Sequence, residues 1–340
     1  MNYNYVFILP EQEDLVIRYS DLNNTNYTKS VTHAPDYLIE NGKLPYLHRI
    51  HMSARINKIV NLPFKNIWNR YRFFDYRKKI SFNNDNPICF IIYARYFCHI
   101  KGDYEFIQHL RIKYDKCKIV LHYTDLLSSY SFNVKTAMQY FDVIISFDKK
   151  EASNNNFFHY DEQFFSVYDV EKNLILPQSD VVFIGKAKNR LNKIINIFEL
   201  LCENNINCNF HITEVPISER KYTDKISYHS SPISYYEILQ YVISSKCILE
   251  ILQDGGCSHT ARVSEAIYYG KKILSNCQEL ITKPYYNPEY ISMFLNPEDI
   301  DVEFLKNDKC VVDYNYKQNL SPLHFIDFVE NCLVNGKIMV

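Results

Sequence analysis

The sequence predicts an α/β protein made of two Rossmann-like domains, and three observations carry that expectation. Short β-branched or aromatic runs alternate with helix-period patterns along most of the chain, which is how layered α/β proteins read. The alternation lapses between Asn154 and Asp180, a polar and weakly periodic stretch, and restarts at Val181. A length of 340 residues suits two domains of about 150 residues each. The expected domains are 1–170 and 171–340, with the closing helix free to cross back to the first.

In the first half, Tyr5 to Leu9, Ile88 to Tyr93, Lys118 to His122 and Val143 to Phe147 are candidate strands. They are near-continuous apolar runs, as strands buried on both faces should be. Tyr104 to Tyr114 places Phe106, Ile107, Leu110 and Ile112 at helical spacing and reads as a crossover helix. In the second half, Val181 to Ile184 opens a new strand. Leu191, Ile194, Ile195, Phe198 and Leu201 then make Lys188 to Cys202 an amphipathic helix. Asn207 to Ile212 reads as strand, Tyr235 to Ser244 as helix and Cys247 to Leu252 as strand. Ser258 to Tyr269 reads as a helix ended by Gly270, Lys272 to Leu274 as strand, and Leu323 to Leu333 as a closing helix.

Composition removes several classes. With 47% hydrophobic and 15% aromatic residues, the chain is too apolar to be disordered. The 38 basic residues against 39 acidic ones leave a net charge of −1, so no global field favours nucleic acid, and none is expected as a partner. Ten cysteines without a Cys-x-x-Cys are expected to be reduced thiols of a cytoplasmic protein, not a disulfide framework or zinc cage. MNYNYVFILP reads as a first strand and not a signal peptide, and no apolar run approaches the ~18 residues of a spanning helix. A dinucleotide Gly-x-Gly-x-x-Gly after the first strand, a P-loop, a His-Glu-x-x-His and a Gly-x-Ser-x-Gly are all missing.

The most informative segment is Cys247 to Asn276, which reads strand, glycine-containing loop, helix, glycine cap, strand. Gly255 and Gly256 would let a ligand approach the backbone N–H groups of Ser258, His259 and Thr260 at the helix start. Such donors, with the positive end of the helix, suit a diphosphate. Arg262 and Glu265 are three apart and share a helix face. The guanidinium would take phosphate oxygens and the carboxylate a ribose; the alternative is a solvated i,i+3 ion pair.

Asp180-Val-Val-Phe-Ile-Gly-Lys-Ala-Lys-Asn-Arg190, Ile248-Leu-Glu-Ile-Leu-Gln253, Thr260-Ala-Arg-Val-Ser-Glu-Ala266 and Gly270-Lys-Lys-Ile-Leu274 together resemble the C-terminal domain of bacterial GT-B glycosyltransferases. The similar members are those of capsule, exopolysaccharide and lipopolysaccharide biosynthesis. Weaker likeness runs through Leu62-Pro-Phe-Lys-Asn-Ile-Trp68 and Asp142-Val-Ile-Ile-Ser-Phe-Asp148. The resemblance implies two Rossmann-like domains facing each other across a cleft. A nucleotide-sugar donor would be held mainly by the second, a glycan or lipid-linked acceptor mainly by the first, with no cofactor and no metal. It implies that Glu265 binds the donor ribose, that Gly185 belongs to the donor-binding set, and that Lys186 and Arg190 meet the departing diphosphate; the alternative for the two cations is an exposed charged helix start. Cys257 stands where many retaining members carry a glutamate, a departure from that mechanism.

An inverting transfer needs a base, for which Asp125, His122 and Asp148 are the candidates, each near a strand end; helix capping is the alternative for the two aspartates. Asp299-Ile-Asp301 has the form of a metal-binding Asp-x-Asp, although acids at a helix start explain it. Between Arg55 and Lys79, eight basic residues interleave with aromatics against a single acid, Asp75. Lys65, Trp68, Arg70, Arg72, Arg77, Lys78 and Lys79 would suit an acceptor or the anionic cytoplasmic face of a membrane, or else form a solvated helix whose aromatics face the core. The leading expectation is a metal-independent glycosyltransferase. The alternatives are a nucleotide-sugar epimerase on the same scaffold and a non-catalytic nucleotide- or glycan-binding subunit.

Overall fold

The computed structural model describes residues 3–10, 12–32, 46–47, 50–51, 53–60, 62–64, 80, 82–99, 104–130, 133–160, 164–166, 176–253, 256–307 and 311–335. The chain divides into two compact units. One comprises Met1–Phe147, Glu151–Tyr160 and Phe325–Val340, the other Asp148–Lys150 and Asp161–His324. The expected boundary at 170 lies outside the described residues. The acceptor- or membrane-docking candidates Lys65, Trp68, Arg70, Arg72, Arg77, Lys78 and Lys79, and Gly255, lie outside them too.

In the first unit, β1 (Asn4–Leu9), β2 (Thr28–Thr32), β3 (Ile88–Tyr93), β4 (Lys118–Tyr123), β5 (Val143–Ser146) and β6 (Phe158–His159) form one sheet. Its order is β2-β1-β3-β4-β5-β6, with every neighbouring pair parallel. All six residues of β1 and of β3 are buried. This is why, Asn4 and Cys89 apart, they are written in Tyr, Val, Phe, Ile and Leu without alternation. Helix α1 (Tyr104–Lys113) turns Phe106, Ile107 and Leu110 into the core.

The second unit holds β7 (Ser179–Lys186), β8 (Cys208–Thr213), β9 (Ile226–His229), β10 (Ser245–Glu250), β11 (Lys272–Ser275) and β12 (Ile291–Met293). They are again all parallel, in the order β12-β11-β10-β7-β8-β9. Counted within the unit this is the doubly wound 3-2-1-4-5-6 order, whose chain direction reverses between its first and fourth strands, here β7 and β10. Helix α2 (Leu191–Glu203) buries Ile194, Ile195, Ile197, Phe198 and Leu201. Helices α3 (Tyr235–Ile243), α4 (Ala261–Tyr269) and α5 (Val302–Lys306) follow. Two Rossmann-like units are therefore present, the pair that the GT-B expectation calls for.

The last described element is α6 (Pro322–Asn335). Within the first unit, Phe325 stacks on His122 with ring centroids 4.6 Å apart, and the Tyr5 hydroxyl donates to Glu330 at 2.7 Å.

Two helices start later than their periodicity predicts. Lys188 adopts a left-handed φ of 46° and Arg190 becomes the N-cap of α2, so the first turn expected at Lys188 is instead a tight loop. Likewise α4 begins at Ala261, with Thr260 as its N-cap, and not at Ser258.

Candidate functional site

Open α/β sheets bind ligands beyond the carboxyl ends of their strands, where the strand order reverses. In the second sheet that position lies after β7 and β10, between residues 187–190 and the described residues of the loop after β10, 251–253 and 256–260. Arg190 joins them. Its Nη1 donates to the carbonyl of Ile251 and its Nη2 to that of Lys186 at 3.2 Å, while the guanidinium lies 5.8 Å from the centroid of the Phe183 ring. The remaining donor, Nε, is buried without a partner. Nearby, Lys188 donates to Gln253 Oε1 at 2.6 Å, and Leu252 N–H to Asn276 Oδ1 at 2.7 Å.

The glycine at 185 leaves room for this close approach. A Cβ there would lie 3.4 Å from both Arg190 Nη2 and the Phe183 ring. Behind Arg190, α2 has no acid in its first turn and no side-chain cap. Its first N–H groups and its dipole therefore stay available to an anion.

The start of α4 differs from the expectation. Glu250, at the end of β10, is 2% exposed. It accepts from Thr260 N–H, Thr260 Oγ1 and Ser275 Oγ, each at 2.6 Å. The chain's own carboxylate thus takes a donor that was expected to meet a diphosphate. Burial pushes the Glu250 carboxyl up, against the pull of Ser275, Thr260 and Arg190. Ser258 is likewise engaged, its hydroxyl donating to Glu279 at 3.1 Å, and His259 is buried.

Arg262 and Glu265 do share a face of α4, but it is the buried one. Glu265 is 0% exposed, with Oε1 accepting from Tyr235 at 2.8 Å and Oε2 from Arg262. Glu265, expected to meet a ribose, is here one half of an interior ion pair. Lys186, expected to meet the departing diphosphate, pairs with Glu214 at 2.5 Å, both side chains more than half exposed.

The three candidate bases do not form one cluster. His122 is buried on β4 against Phe325 and Tyr93, and burial together with Arg18 lowers its pKa to about 3. It is a core ring held neutral and no accessible base. Asp125 follows β4, accepts from Leu126 N–H at 2.9 Å, and lies 3.9 Å from Arg95. Asp148 groups with the second unit, buried and accepting from Cys257 N–H at 3.4 Å and Cys257 Sγ at 3.0 Å, so it anchors the loop before α4. Asp299 and Asp301 each cap their own turn, Asp299 accepting from Asn296 N–H and Asp301 from Glu303 and Phe304 N–H. Among the described residues no group of three or more His, Cys, Asp or Glu is placed to hold a metal.

Glu250 and Lys188 went unassigned in the sequence, although both had a signal. Glu250 is a single acid inside the apolar run CILEIL, and Lys188 is the middle cation of the run Lys186 to Arg190.

No family model matches the chain, and no curated protein matches it. Its fold has solved counterparts. The N-terminal domain of trehalose-6-phosphate phosphatase from Candida albicans aligns with 97% of this chain and 97% of its own, at 10% identity and a TM-score of 0.54, which shows a shared fold. A UDP-forming α,α-trehalose-phosphate synthase from Burkholderia xenovorans is similar at a TM-score of 0.48 and 9% identity, over 98% of this chain and 99% of its own. A glycosyltransferase from Rickettsia africae is similar at 0.43 and 9%, over 99% and 95%. Among the described residues no helix is long and apolar enough to cross a membrane.

Proposed function

We propose that this chain is a glycosyltransferase that moves a sugar from a nucleoside-diphosphate donor to a glycan or lipid-linked acceptor without a metal ion. One observation supports it above the others: a guanidinium with a buried, unpartnered Nε, set where β7 and β10 diverge and ahead of a helix start free of acids. A metal-free transfer has to stabilise the departing diphosphate by fixed cations and dipoles aimed at the developing charge. Arg190, Lys188 after a shift from Gln253, and the N-terminus of α2 supply those. Of the candidate bases Asp125 is retained, since its carboxylate is 30% exposed. The mixed basic and aromatic run Lys65 to Lys79 supports an acceptor presented at the cytoplasmic face of a membrane, in the manner of surface-polysaccharide assembly.

Titration with UDP, GDP, CMP and dTDP, followed by thermal melting and calorimetry, tests the donor site. One nucleotide should bind and, at 100 times its dissociation constant, add about 2.7 kcal/mol of stability. Arg190→Met should weaken it roughly tenfold to a hundredfold, the range of a charge-assisted hydrogen bond of ~1.5–3 kcal/mol. Lys188→Met, at an exposed position that folding does not need, should weaken it less. Binding by none of the four, binding of CMP alone, which has no diphosphate, or unchanged affinity in both variants, overturns the assignment. Isomerisation of the donor sugar without any acceptor would replace transfer by epimerisation.

A further inference from the structure

The second sheet has an opposite end, where chain enters β7, β10 and β11. Residues at those entries, with the last turn of α3, line a pocket of about 620 Å³, a volume suited to a small organic ligand. Four of the described lining residues are the lysines Lys246, Lys271, Lys272 and Lys317, and none of the described lining residues is acidic.

Lys272 carries the argument. It opens β11 and is 6% exposed. Its ammonium donates to the carbonyls of Phe304 at 2.8 Å and Asn307 at 2.6 Å and lies 4.8 Å over the Phe304 ring. All of these partners are neutral, and no carboxylate among the described residues pairs with it. An ammonium has three donors, so among the described residues one N–H and the whole charge are left without a counter-ion in the interior, a state that proteins otherwise avoid. Its neighbours add charge of the same sign. Lys271 donates to the carbonyl of Ile243 at 2.6 Å, Lys317 lies 5.8 Å from the Tyr268 ring, and Lys246 meets Asp180 at 3.0 Å.

We propose that this pocket binds a small organic phosphate, its phosphate held by the lysines and its carbon body by the apolar wall that includes Leu305 and Val312. Lysine is a point-charge phosphate binder with rotatable donors, and a phosphate dianion supplies the counter-charge that Lys272 lacks. The site is separate from the donor site, which lies at the carboxyl ends of the same strands.

Calorimetry of the full chain with glycerol 3-phosphate as probe tests the proposal, with glycerol and vesicles containing phosphatidic acid as parallel arms. Glycerol 3-phosphate should bind saturably and glycerol should not. Lys317→Glu, at an exposed position, should raise the dissociation constant about tenfold, ~1.4 kcal/mol, with an unchanged melting temperature in the absence of probe. Lys272→Met should abolish binding. Binding to the vesicles alone, with the same dependence on Lys317, assigns the phosphate to a lipid headgroup. Absence of binding in both phosphate arms, or equal affinity in Lys317→Glu, overturns the site.

Discussion

At the residue scale, Glu265 shows what burial does to a pair read from spacing. The i,i+3 interval puts Arg262 and Glu265 on one face of α4, yet Val263, Ser264, Glu265, Ala266 and Ile267 are all buried. The pair therefore lies in the interior, completed by the Tyr235 hydroxyl at 2.8 Å. Removing one partner of a buried pair leaves the other charge uncompensated, at a cost of about 3–5 kcal/mol. Glu265→Gln should accordingly lower the unfolding free energy from urea titration by about 3–5 kcal/mol, and adding Arg262→Met should recover part of it, because the orphaned guanidinium goes too. A midpoint that stays put while nucleotide affinity falls would return Glu265 to the donor ribose. Spacing specifies which residues share a face, whereas the neighbours that bury that face come from α3, far away in the chain, and no local pattern reports them.

At the scale of elements, the strands read from sequence are the interior ones. Tyr5 to Leu9, Ile88 to Tyr93 and Cys247 to Leu252 match β1, β3 and β10 to within two residues at either end. The strands β2, β6, β9 and β12, written TKSVT, FH, ISYH and ISM, were not legible, and each lies at a sheet edge. An edge strand pairs on one side only and is commonly short or polar, so it lacks the apolar run that marks a central strand. The end of α4 was legible because glycine has a conformational role there. Gly270 sits at φ 62° and ψ 51°, and a Cβ on it would stand 2.9 Å from the Val312 carbonyl oxygen. A left-handed non-glycine residue costs roughly 1–2 kcal/mol, and the backbone contact adds to that. Gly270→Ala should therefore lower the melting temperature by at least 2–4 °C, about 1 kcal/mol for a domain of this size. A melting curve that overlays the wild type would mean that the α4 to β11 turn relaxes freely.

At the scale of the whole molecule, both units are parallel sheets whose central strands are buried, and each has a histidine inside it. His122 is pinned between Phe325 and Tyr93, and burial with Arg18 lowers its pKa to about 3. His211 on β8 contacts His229 at 3.0 Å and Asn209 at 2.9 Å, and burial with His229 lowers its pKa to about 4. In the unfolded chain each returns to about 6.5. Below that pH the unfolded state binds more protons than the folded one, so stability is full above about pH 6.5 and is lost as pH falls toward the folded values. At pH 5 the loss is about 2 kcal/mol per histidine, from 1.36 kcal/mol per unit. Glu250 acts with the opposite sign, because a raised carboxyl favours the folded state as pH falls, and its window opens only nearer the carboxylate range. The histidines therefore dominate the first step of acidification. Urea midpoints at pH 7.5 and 5.0 should differ strongly in the wild type. His122→Phe keeps an aromatic ring against Phe325 and removes the titration, so it should lessen the drop, and His211→Gln should lessen it independently in the other unit. Equal wild-type midpoints at the two pH values, or variants as acid-sensitive as the parent, would show that both rings reach water when protonated and that neither sheet is closed around its histidine.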